Sequence, residues 1–200
     1  MAETTPRSAA ATTRARNAAR EEIIEMLKAD HRKVKKAFKD FEKLEEGDEA
    51  REQIVRQTCA ELTLHAELEE QCFYGPAREA LKEEDMVDEA EVEHASAKWL
   101  IEQLQSMGPD DEKFAATFTV LGEYINHHVK EEEKEMFPSL ERSKVDWEAV
   151  LQEMTQRRQE LAQELGLAEE EGEEEEVEAM QPPPASRGSR SRAASASRGR

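Results

Sequence analysis

From Glu21 onward the apolar positions take up a helical period. Ile23, Ile24, Leu27, Val34, Phe38, Phe41 and Leu44 fall mostly three, four or seven apart and so share one face. Glu46-Gly47-Asp48 supplies a stop and the cap of the next helix. A second helix is predicted from about Glu49 to Phe73, with Ile54, Leu62 and Leu68 inward, and Gly75-Pro76 ends it. A short helix, Ala77 to Lys82, leads to a third long one from about Met86 to Met107, and Gly108-Pro109-Asp110 is a compact breaker. The fourth, about Asp111 to Met136, carries Phe114, Phe118, Leu121 and Ile125 on one stripe before Pro138 stops it. A fifth amphipathic segment, Trp147 to Leu165, presents Val150, Leu151, Met154 and Leu161 and is expected to pack outside the others. No stretch alternates long enough to make a strand. The pattern predicts an all-α chain: an antiparallel up-down-up-down four-helix bundle, the topology short connections favour, with an additional C-terminal helix.

The ends read differently. Residues 1–20, rich in Ala, Thr and Arg, are expected to form a flexible basic arm that turns helical near Ala18. A targeting peptide fits the same composition less well than a simple arm. Residues 21–140 make the bundle and 141–167 an accessory amphipathic helix. Residues 168–200 are an acidic block followed by Pro, Ser and Arg, which cannot bury a core and should be a disordered tail.

Composition supports one modest core: 37% of residues are hydrophobic, 38% charged and 5% aromatic. The net charge of −19 is segregated, since four arginines face one glutamate in the first 20 residues and five face no acid in the last 20. The body is therefore strongly acidic, repels phosphates and attracts cations, and only the basic tails could touch nucleic acid. No apolar run is long enough for a membrane span. Cys59 and Cys72, 13 residues apart on one helix, are too distant for a disulfide, so free thiols in the cytoplasm are expected.

The five histidines carry the candidate chemistry. His31 to His65 and His94 to His128 are both separated by 34 residues, and each of the four long helices owns one. In an alternating bundle all four lie about 12 to 15 Å from the same end at 1.5 Å per residue, so they form one layer on the apolar stripes. A single inward histidine is most simply a hydrogen-bonded core residue. Four together without a cation would crowd and repel on protonation. His65 and His128 each have a glutamate one turn on, Glu69 and Glu132, so one helix can offer a nitrogen and an oxygen to one centre. The segments HAELEEQCFY and HVKEEEKEMF repeat the arrangement and fix its register on His128, leaving His127 about 100° off the stripe beside Glu131.

This constellation, with Asp30-His31 on the first helix, HxxxEE on the second, His94 on the third and HxxxEE ending in Met-Phe-Pro on the fourth, resembles the hemerythrin-type domain and its HHE cation-binding pattern over about residues 21 to 140. The resemblance implies a non-haem di-iron centre ligated by His31, His65, Glu69, His94, His128 and Glu132. The chain departs from the oxygen-carrying members at the third helix. Ala90 and Lys98 flank His94 where those carriers place a second histidine four residues away, which weakens a reversible O2-carrier reading. Glu91 could supply an oxygen instead or face solvent. Tyr124, four before His128, could enter the cavity as a ligand or proton donor or be a core aromatic. His127 and Asp30 could support the ligands or lie on the surface, and Cys72 could border the site or simply fill the core.

Imidazoles with carboxylates suit iron, with manganese or zinc behind it, and two bridging carboxylates favour a pair of metals. Two functions are expected in order. The first is a di-iron protein that binds or senses O2, NO or peroxide, with at most weak peroxidase-like turnover, a binding protein more than a dedicated enzyme. The second is storage, delivery or sensing of iron itself. An acidic helical interaction protein without metal is the third and least favoured.

Overall fold

The computed structural model describes residues 6–81 and 85–167, with side chains from residue 11 onward. The acidic and Arg-rich tail from residue 168, whose disorder the sequence predicts, lies outside the described residues, as do residues 1–5 and 82–84. Four long helices, α1 (Pro6–Phe41), α2 (Glu49–Leu68), α4 (Asp85–Ser106) and α5 (Phe114–Glu131), make the bundle. α3 (Tyr74–Ala80) and α6 (Phe137–Ser139) extend its second and fourth members, and α7 (Trp147–Glu164) follows. Among the described residues there is no strand, and no helix is long and apolar enough to cross a membrane.

Each long helix packs on two neighbours: α1 on α2 and α5, α4 on α2 and α5. Short turns close the hairpins. Gly47 takes φ 88°, which favours glycine, and Asp48 then accepts from Ala50 N–H at 2.9 Å to cap α2. α7 lies outside the four, against α1 and α2, where Trp147, Val150, Met154 and Leu161 are buried. Asp146 caps it by accepting from Ala149 N–H.

Three local expectations change. α1 starts at Pro6 rather than near Ala18; Ala19 and Arg20 on it are buried, and the Arg20 guanidinium donates to the Glu141 carbonyl at 2.5 Å. α5 starts at Phe114 rather than Asp111, because Asp111 uses its carboxylate to accept from Lys113 N–H outside the helix. Gly75-Pro76 does not end its helix, which runs on to Ala80, whereas the fourth helix stops at Ser139, one residue past Pro138. A five-residue π turn precedes each, Glu69–Phe73 and Glu132–Met136, so each proline falls in the first turn of a renewed helix, where its missing N–H is tolerated.

The core divides around a polar layer. On one side lie Ile23, Leu27, Leu68, Phe73, Phe137, Trp147 and Met154; on the other Val34, Phe38, Leu62, Ile101, Phe118, Leu121 and Ile125. Full burial of such side chains stabilises by roughly 1.5 to 3 kcal/mol each.

Candidate metal centre

The buried polar layer consists of His31, His65, His94 and His128 with Glu69 and Glu132, none more than 5% exposed. One histidine comes from each long helix, and the two glutamates open the π turns. His31 and His65 face each other with Nε2 atoms 3.3 Å apart, and His94 and His128 do so at 3.1 Å. The carboxylates lie across the two pairs. Glu69 Oε2 is 3.2 Å from His65 Nε2 and 3.4 Å from His94 Nε2, while Glu132 Oε2 is 3.2 Å from His31 Nε2 and 3.5 Å from His128 Nε2. His31, His65, Glu69 and Glu132 form one group that could hold a cation, and Glu69, His94 and His128 form another.

The other ring nitrogens fix the tautomers. Nδ1 of His31 lies 3.0 Å from Glu133, that of His65 3.4 Å from Asp30, that of His94 3.1 Å from Glu70 and that of His128 2.8 Å from Glu93. A carboxylate only accepts, so each Nδ1 carries the proton and each Nε2 turns a lone pair inward. Four lone pairs and two carboxylates then converge with few protons among them. The fit is with cations: Glu69 Oε1 and Glu132 Oε2 gain no hydrogen bond although both are buried.

The electrostatics agree. Burial and the neighbouring Glu132 push the Glu69 carboxyl well above its ordinary range. Burial would do the same to Glu132, but His128 and His31 outweigh it and hold that carboxyl down. Burial pushes His65 and His94 down. At His128 burial is outweighed by Glu132 and Glu93, and the imidazole rises.

Tyr74 is the protein hydroxyl inside the layer, and sequence reasoning missed it. Its OH lies 3.3 Å from Glu69 Oε2, 3.3 Å from Glu132 Oε1 and 3.2 Å from His94 Nε2, and its ring stacks on His94. Burial and the two carboxylates raise its phenol well above the ordinary range. The π turn puts it there: Tyr74 N–H donates to the Glu69 carbonyl five residues back, one residue beyond α-helical register.

Tyr124 and Glu91 do not join the site. His128 already lies at the edge of the buried stripe of α5, and four residues back places Tyr124 about 40° further toward solvent; it is 48% exposed. Glu91 points outward and pairs with Arg78 at 3.1 Å. His127 is exposed as well, between Glu93 and Glu131 at 3.4 and 3.2 Å, and so touches the carboxylate that holds His128. Asp30 supports His65, and Cys72 is buried in the apolar cluster beside Phe73.

These contacts obey one offset. Asp30 and Glu93, His31 and His94, Lys35 and Lys98, His65 and His128, Glu69 and Glu132, Glu70 and Glu133, and Tyr74 and Phe137 are each 63 positions apart and hold matching places. Lys35 reaches Glu133 as Lys98 reaches Glu70. Phe137 stacks on His31 as Tyr74 does on His94, without a hydroxyl.

Beyond the histidines, on the side away from Tyr74, lies a cavity of about 20 Å³ lined by Val34, Leu62, Ile101, Ile125 and Val129 together with Asp30 and Lys98. That suits one molecule about the size of water.

Fold and layer together define a cation-binding helical bundle. The sequence pattern of the hemerythrin HHE cation binding domain matches residues 22–140, and the chain belongs to that family. In structure it is similar to the crystal structure of a hemerythrin HHE cation binding domain-containing protein from Mycobacterium kansasii, with a TM-score of 0.57 and 19% identity over 68% of this chain and 85% of that one. No curated protein matches.

Proposed function

We propose that the chain binds two iron ions and uses them to bind or sense a small oxidant or diatomic molecule, O2, NO or peroxide, with at most weak peroxidase-like turnover. One observation carries the reading: four buried Nε2 lone pairs and two buried carboxylates converge, each carboxylate reaching a histidine of both pairs. His31 and His65 would hold one ion, His94 and His128 the other, and Glu69 and Glu132 would bridge them. Bound there, a ferrous pair supplies electron exchange and an open position for a small ligand.

The chain's own residues do the rest. The four outer carboxylates hold the rings in the Nδ1–H tautomer and turn Nε2 inward. Tyr74 holds a proton against Glu69 and Glu132 and sits close enough to His94 to join the second ion's surroundings, where oxygen carriers place another histidine. The largely apolar cavity on the opposite face suits a small, weakly polar ligand. Storage or delivery of iron is the weaker reading, because six buried donors do not favour ready exchange. Free, buried Cys59 and Cys72 suit the cytoplasm.

Purified under gentle reduction, the protein should contain about two irons per chain and change its optical spectrum on exposure to O2 or NO. Replacing His65 and His128 with Ala should abolish both properties. Iron-free protein that neither takes up ferrous iron nor unfolds differently after chelation would sink the proposal.

A further inference from the structure

The family match ends at residue 140, yet α7 reaches back to the histidine layer. Arg158 donates twice to Asp30, Nη1 to Oδ2 and Nη2 to Oδ1, both at 2.7 Å. The same Oδ2 faces His65 Nδ1 at 3.4 Å. Both partners are largely buried, at 12% and 24% exposure of their side chains, and a two-point clamp of this kind fixes the plane of a carboxylate as a single lysine cannot.

The matching place in the other half is built differently. Glu93 holds His128 Nδ1 at 2.8 Å and is braced by the exposed ring of His127 at 3.4 Å. Asp30 is one methylene shorter, shares both oxygens with a guanidinium and makes the longer contact to its histidine. The two halves therefore repeat their inward histidines and glutamates and differ in what stands behind His65 and His128.

We infer that Arg158 is a positioning residue for His65, through which the docking of α7 sets the metal affinity of the His31–His65 position without touching the His94–His128 position. The inference rests on the two-metal reading above. Arg158 orients Asp30, Asp30 orients the His65 ring and fixes its proton on Nδ1, and the inward Nε2 is thereby held toward its place. Partners of metal-binding histidines typically change metal affinity by about 10- to 100-fold when removed. By reciprocity, metal at this position should tighten α7 against the bundle.

The test is a titration of the full chain with cobalt(II) against a competing chelator, followed by the visible band. Arg158→Met should weaken one of two binding steps by about tenfold or more and leave the other within about threefold. Glu93→Gln should weaken one step likewise, and the double variant should weaken both. Arg158→Lys, which keeps charge but not the clamp, should fall between and serves if the methionine variant folds poorly. Both steps unchanged, or both weakened equally in a folded variant, would overturn the inference while leaving the metal reading intact. An unmodified chain that takes up no cobalt would remove both.

Discussion

At Tyr74 and Phe137 a single oxygen separates two otherwise matching places in the layer. Since the phenylalanine already fits one of them, Tyr74→Phe should keep the helical content and shift the visible spectrum of the cobalt-loaded protein. Tyr124→Phe, at the solvent, should leave that spectrum unchanged; far-UV and visible spectra of the two variants decide. The four inward histidines were legible because their spacing on apolar stripes determines depth and face together. Tyr74 was not. Counted along an ideal α-helix, a residue five after Glu69 lies about 140° round from it, and only the π turn returns it to the layer. Glu70 and Glu133 stood in the repeated HxxxEE pattern without a role, and Glu93 was hidden, for another reason: in so acidic a chain, composition does not separate a carboxylate that holds an imidazole from one that faces water. Burial sets a further expectation at Cys59, whose thiol it pushes up to about 12. Iodoacetamide at pH 8 should leave Cys59 unmodified in the folded chain and alkylate it after unfolding in guanidinium, as mass spectrometry would record.

Among the elements, α7 has the smallest share in the repeated plan and a large share in the packing. Its Met154 is fully buried in the cluster that includes Trp147, Phe73 and Leu68. Met154→Ala should cost about 2 to 5 kcal/mol in urea unfolding. If docking and metal position are linked, the loss should also be greater for metal-loaded than for chelated protein. The amphipathic period made this helix legible, including its place outside the bundle. Its contact with the histidine layer was not, because Arg158 reaches Asp30 across 128 residues of sequence and nothing local distinguishes it from the neighbouring Arg157, which pairs with Glu160 and Glu164. The π turns show the opposite case: both prolines were legible as interruptions, but the extra residue in the turn ahead of each leaves no mark in the apolar period.

For the molecule as a whole, the layer interrupts the core, separating two apolar clusters that hold it closed from either side. Each buried carboxylate without a cation carries a desolvation penalty of several kcal/mol, so the bare chain should be distinctly less stable than the loaded one. Free metal at 100 times its dissociation constant should add about 2.7 kcal/mol per site. Calorimetry with and without a chelator should therefore show the melting temperature rise with metal concentration, and a melting temperature indifferent to ferrous ion would contradict it. This behaviour belongs to no single helix, since each contributes one imidazole and all four must dock before the layer exists.

The 63-residue correspondence has a practical consequence. Because each inward residue of one half has a counterpart in the other, the molecule carries its own internal control. A substitution at Asp30, His31, His65 or Glu70 can be read against the same change at Glu93, His94, His128 or Glu133, in one chain and one solvent. Exchanging the aromatic pair, with phenylalanine at 74 and tyrosine at 137, would carry the hydroxyl to the opposite imidazole and show which properties follow the oxygen and which follow the scaffold.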